Sequence, residues 1–226
     1  MDERLSRIAG LVRAGSRIAD IGTDHAFLPV ALVGSGKCPS ALACDVREGP
    51  LQNARNTVEA AGLSDRIECR LGDGLSVVEP DEADEVIIAG MGGETIAGIL
   101  AACPWAAERG RRFLLQPMTH AEDVRRYLLA AGFTVEREET VAVGRHVYLI
   151  IVAEAAGAPP CRDEVPAWVG CVGAKDPTPS DRDYLKRLRC RLQNRLRAGT
   201  DEDVVRRALA ALDERLNKGE NSHEHK

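Results

Sequence analysis

No apolar run in this sequence is long enough to cross a bilayer. The longest, Val147 to Ala153, is seven residues, against the roughly 20 that a spanning helix needs. Met1 to Arg13 reads as an amphipathic charged stretch and not as a signal peptide. Cys-x-x-Cys pairs are absent. The seven cysteines stand singly at positions 38, 44, 69, 103, 161, 171 and 190, an odd number without zinc-ligand spacing. They read as reduced, buried, small apolar residues of a cytosolic protein, with no metal site. An excess of positive charge is missing as well: the formal net charge of -5 excludes a polycation that meets nucleic acid with its whole surface. The balance is uneven, however. Residues 180–218 hold eleven Lys and Arg against seven Asp and Glu, so the C-terminal part alone could meet a polyanion.

The 226 residues suit one large domain, or one medium domain with an appendage. Strand-like and helix-like segments alternate over about the first 155 residues. The strands are expected at 17–21, 41–45, 66–70, 85–89 and 113–116, with helical patterns between them. That order implies a parallel sheet covered by helices on both faces, a Rossmann-like α/β fold. Residues 134–143 and 146–153 then form two strands joined only by Gly144-Arg145, a link that permits an antiparallel hairpin and no parallel crossover. Five prolines mark 157–180 as a connecting segment, in which Trp168 and its apolar neighbours can dock onto the main domain. Leu185, Leu188, Leu192 and Leu196, then Val205, Leu209, Leu212 and Leu216, predict a coiled-coil-like helical hairpin over 181–218, its second helix capped by Thr200 and Asp203. The predicted units are therefore 1–156, 157–180, 181–218 and a polar tail, 219–226.

The segment Ile18-Ala-Asp-Ile-Gly-Thr-Asp-His-Ala-Phe-Leu-Pro29 is a strand, a glycine turn and a helix start, placed where open α/β sheets bind ligands. Gly22 lets a ligand approach the backbone, while Asp20, Asp24 and His25 crowd the same turn. A plain reading remains open, in which Gly22 only turns the chain and Asp24 caps the helix. Asp45 follows Asp20 by 25 residues at the end of the second strand, where an acid can hold ribose hydroxyls. Asp73, in Gly72-Asp73-Gly74-Leu75, can accept from an adenine amine. A pyrophosphate site would want Gly-x-Gly-x-x-Gly, but Asp24 stands where the second glycine belongs. An acid repels pyrophosphate and attracts the ammonium of a methionine moiety, which favours S-adenosylmethionine over NAD. After the fourth strand, Ala89-Gly90-Met91-Gly92-Gly93 exposes backbone to a ligand, or else permits tight strand–helix packing.

The segments 20–29, 72–75, 89–93 and Leu115-Gln-Pro117 together closely resemble the bacterial tRNA (adenine(22)-N1)-methyltransferase family, TrmK-like, over essentially the whole chain. The resemblance implies a class I methyltransferase fold, S-adenosylmethionine as cofactor and tRNA as partner. Asp20, Gly22, Asp24, His25, Asp45, Asp73, Gly74, Gly90, Met91 and Gly92 then bind the cofactor, and Asp24, His25, Gly90 and Met91 position the reacting groups. Phe27 and Met118 depart from the Tyr and Asn that relatives often carry. The reaction implied is methylation of adenine N1. Another RNA site, a small metabolite, or a non-catalytic nucleotide- or RNA-binding module are the alternatives. On the first C-terminal helix, Lys186, Arg187, Arg189, Arg191 and Arg195 surround the leucine stripe and are the expected phosphate contacts. Removal of 181–226 is expected to weaken RNA binding and spare the cofactor site.

Overall fold

Residues 1–161 and 163–220 are described in this computed structural model. The strands are β1 (Ile18–Ile21), β2 (Ala41–Asp45), β3 (Ile67–Leu71), β4 (Glu85–Gly92), β5 (Arg112–Thr119), β6 (Phe133–Val143) and β7 (His146–Ala155). They form one sheet in the order β3-β2-β1-β4-β5-β7-β6. β1 to β5 are parallel, and β7 inserts antiparallel between β5 and β6. The chain steps outward from β1 through β2 to β3, then returns to place β4 on the other side of β1. That reversal opens a crevice at the carboxyl edge. The predicted hairpin fits this plan, because β6 runs parallel to β5 and carries the Gly144-Arg145 turn to that same edge.

Helices cover both faces. They are α1 (Glu3–Leu11), α2 (Phe27–Gly34), α3 (Glu48–Ala60), α4 (Gly93–Ala101) and α5 (Ala121–Ala130), followed by the short α6 (Val165–Val169), α7 (Pro179–Arg197) and α8 (Glu202–Glu220). The period-two alternation of the strands divides the core: Ile88 and Leu115 point into one buried cluster, Ile87 and Leu114 into the other. None of the described helices is long and apolar enough to cross a membrane.

The C-terminal hairpin is not a separate body. Leu185, Leu188 and Leu192 of α7 and Val205, Ala208 and Leu212 of α8 are buried in the same cluster as Phe113 and Ile151 of the sheet. A buried ion pair reinforces the junction. Arg125 of α5 meets Glu138 of β6 at 2.5 Å and donates to the Ala167 and Trp168 carbonyls and the Tyr184 hydroxyl. Glu138 also accepts from the Cys171 and Val172 amides. Trp168, Val169 and Val172 are buried, so the connecting segment docks as its sequence suggests. A reciprocal capping box forms at the head of α7, between Thr178 and Asp181. α8 runs to Glu220, into the predicted tail, whose residues 221–226 lie outside the described residues.

Candidate active site

The carboxyl ends of β1, β2 and β4 and the loop after β3 open onto one cavity of about 580 Å3. Asp20, Gly22, Asp24, His25, Asp45, Asp73, Gly74, Gly90 and Met91 all line it. Gly92 does not. The β4 ladder slips against β5 between Ala89 and Met91 and again between Met91 and Gly92, which leaves Gly92 opposite Thr119 as the residue before α4.

The glycines divide their work. Gly22 has φ +78°, and a side chain there would run into the Met91 methyl group. Gly90, at φ +79°, keeps the opposite wall bare. Gly93 lies against the backbone carbonyls of Thr119 and His120, with no room for a Cβ. The segment thus serves strand–helix packing at Gly93, while Gly90 leaves backbone open to the cavity.

Thr23, not Asp24, closes the first turn: its hydroxyl accepts from the Ala26 amide at 3.2 Å. Asp24 is left 68% exposed, with His25 Nε2 at 3.5 Å, and the His25 ring stacks on Phe27 at 5.1 Å between centroids. Asp20 is buried at the end of β1. Burial pushes its carboxyl up to about 6, the charge of Asp45 adds to the rise, and a hydrogen bond from Thr23 opposes it. Asp45 Oδ1 accepts from the Arg47 amide at 2.8 Å, which fixes the carboxylate at the end of β2. The Asp73 carbonyl accepts from the amide and hydroxyl of Ser76, so its loop is braced while the carboxylate stays exposed at the rim.

Sequence reasoning missed the contribution of α1, whose Arg4 and Leu5 also line the cavity. Arg4 donates to Gln116 Oε1, which accepts from the Gly90 amide at 3.1 Å as well, tying α1 and β5 to the glycine wall. The Leu5, Ile8, Val12 spacing shows that this helix packs, but nothing in it says over what. Four large apolar side chains near this edge stay exposed, among them Phe27 at 48% and Met118 at 49%, with Val46 and Leu71 at the ends of β2 and β3.

The five cations expected to meet RNA on α7 differ in their surroundings. Arg187 pairs with Asp183, Arg189 with Asp213 and Arg195 with Asp201, each at 2.7 Å. Arg195 also lies over the Trp168 ring at 4.9 Å. Acids of the same hairpin thus neutralise three of the five cations. Lys186 and Arg191 are exposed and have no acid partner among the described residues. Separately, Glu94, His120 and Asp123 bring possible ligand atoms within 4.8 Å of one another outside the cavity. They stand at the heads of α4 and α5, where the helix dipoles oppose a cation.

Comparison with known proteins agrees with this layout. A methyltransferase-domain family model matches residues 1–151. The tRNA (adenine(22)-N(1))-methyltransferase of Bacillus subtilis (strain 168) is 38% identical over 155 residues, which cover 69% of this chain and 65% of that protein's length. The match thus spans slightly less than two thirds of that relative. The crystal structure of the B. subtilis m1A22 tRNA methyltransferase TrmK superimposes with a TM-score of 0.78 at 30% identity, covering 98% of this chain and 97% of that one. Streptococcus pneumoniae Sp1610, in complex with S-adenosyl-L-methionine, gives 0.82 at 32% identity, covering 96% and 99%.

Proposed function

The chain belongs to the bacterial tRNA (adenine(22)-N1)-methyltransferase family, and on that premise we propose that it methylates N1 of an adenosine in tRNA, at position 22. The carrying observation is the convergence of Asp20, Asp45 and Asp73, from three strand ends, on one cavity whose walls lack side chains at Gly22 and Gly90.

The residues present fit S-adenosylmethionine. Asp45 is held by the Arg47 amide through Oδ1 only, which leaves Oδ2 for ribose hydroxyls. Asp73, on the rim, can accept from the adenine amine. Asp20 and Asp24 put negative charge at the methionine end, where an ammonium would sit. When bound, the cofactor supplies an electrophilic methyl group on a cationic sulfur.

N1 of neutral adenine already carries its lone pair, so the chain needs no base before transfer. Its task is to hold the ring edge in line with the donor, and orientation of that kind can supply most of the rate. Gly90 and Met91 form the wall against which the edge is set, and the carboxylates nearby stabilise positive charge as it reaches the ring. N1 lies on the Watson–Crick edge, so the base must leave its stack to enter. Phe27 and Met118 offer apolar surface for the extruded ring. tRNA is then the macromolecular partner, and the cytoplasm the place of action.

Incubation with methyl-labelled S-adenosylmethionine and bulk unmodified tRNA tests this reading. Label should enter the tRNA. A protein that binds the cofactor yet leaves tRNA unlabelled would be the non-catalytic module instead.

A further inference from the structure

Along the carboxyl edge the strand order β4-β5-β7-β6 sets a sequence of side chains that runs away from the cavity. Arg4 lines the cavity, and its guanidinium lies 5.6 Å from the Tyr148 ring centre, at the start of β7. The Tyr148 ring is 6.1 Å from that of His146, which is exposed. Arg145 comes next, exposed at the β6–β7 turn, and its carbonyl accepts from Arg187 of α7 at 3.1 Å. One helical turn further along the same face of α7 is Arg191. The chain of contacts is continuous from cavity to helix.

Its charge is also distinctive. Among the described residues neither Arg145 nor Arg191 has an acid partner. The acids of β6 nearest this strip are engaged elsewhere: Glu139 with Arg7 and Arg137, Glu138 with Arg125 in the core. On α8, by contrast, Arg206 pairs with Glu202 and Arg207 with Asp163. Arg145 and Arg191 thus leave unneutralised positive charge on the strip that joins α7 to the cavity.

We propose that the β6–β7 turn is a second RNA contact, which carries the strand flanking the target base from the cavity to α7. Arg145 and Arg191 take phosphates, and His146 with Tyr148 presents rings on which a neighbouring base stacks. This assigns a role to a turn whose sequence, Gly144-Arg145, announces only a tight hairpin. The inference rests on the tRNA reading above and deepens it.

Direct binding of an unmodified tRNA transcript to the full chain, measured across a salt series, is the test. Arg145→Glu should weaken binding roughly tenfold and lower the log–log salt slope by about 1 or more, whatever the tRNA sequence. Tyr148→Ala should weaken it with an unchanged slope. Arg206→Glu, an equal charge change on α8, should leave binding as in the parent, and cofactor affinity should be unaltered by Arg145→Glu. If Arg145→Glu binds like the parent, the turn is not an RNA contact. Binding is read without turnover, so a parent protein that holds tRNA but transfers no methyl would refute the methyltransferase reading alone. A parent that binds no tRNA would refute both.

Discussion

Asp20 is held at the end of β1 in a place where burial works against its charge, with its carboxyl pushed up to about 6 from an ordinary value of 3.8. The folded state therefore favours the protonated form. The cost of ionising it is absent near pH 4, grows between 4 and 6 and is complete above 6, where it amounts to roughly 3 kcal/mol. Asp20→Asn should then stabilise the ligand-free protein above pH 6 and change little at pH 4, as thermal unfolding at the two pH values would show. An ammonium in the cavity favours the ionised form, so cofactor affinity should fall as pH drops below about 6, and calorimetric titration of the Asn variant should lose that dependence. Asp45 makes the complementary prediction. Its replacement by Ala should weaken cofactor binding by about 2–3 kcal/mol, the scale of a pair of charge-assisted hydrogen bonds. Unchanged affinity would remove Asp45 from the site. Both aspartates were legible in the sequence because an acid directly after an apolar strand has few other uses at that edge. Arg4 was not, because its role depends on where α1 crosses the sheet.

The elements show where sequence periodicity stops being informative. Alternating βα patterns gave the strand starts to within a residue, although β4 and β5 run three residues past their expected ends, and the two-residue link at 144–145 required the antiparallel hairpin. The register slips in β4 left no such trace, and they decide that Met91 faces the cavity while Gly92 does not. Gly93 was indistinguishable from its neighbours until β5 and α5 were seen against it. Gly93→Ala should destabilise the fold by about 1–3 kcal/mol, since a Cβ there meets backbone rather than a yielding side chain. Denaturant unfolding would measure this, and a neutral result would mean that the β4–α4 junction is looser than described. The leucine spacing likewise predicted that α7 and α8 pack on each other but not that both pack on the sheet. Truncation at residue 181 would expose part of the main core, so it cannot isolate RNA binding as the sequence alone suggests. The Arg125–Glu138 pair sits at that junction, nearly out of water on both sides. Glu138→Gln leaves Arg125 without its counter-charge and should cost about 3–5 kcal/mol. Proteolysis in the connecting segment should quicken with it, and unchanged protection would detach the pair from the docking of the hairpin.

At the scale of the molecule, charge and shape divide the labour. The net negative body carries a cavity lined by acids, suited to a cationic cofactor, while Arg145 and Arg191, without acid partners, lie between the cavity and α7. Composition located that asymmetry but not which cations carry it, because it cannot show that Asp183, Asp201 and Asp213 pair with Arg187, Arg195 and Arg189. The central claim is that this arrangement delivers one adenosine, by its Watson–Crick edge, to the cofactor cavity. Primer extension on an unmodified tRNA transcript after incubation with the protein and S-adenosylmethionine tests it most directly, because a methyl group on N1 blocks base pairing and arrests the copying enzyme. The account predicts a single cofactor-dependent arrest at adenosine 22, abolished when that nucleotide is replaced by guanosine. Full-length copying of a transcript that has taken up label, or an arrest at a different nucleotide, would contradict it.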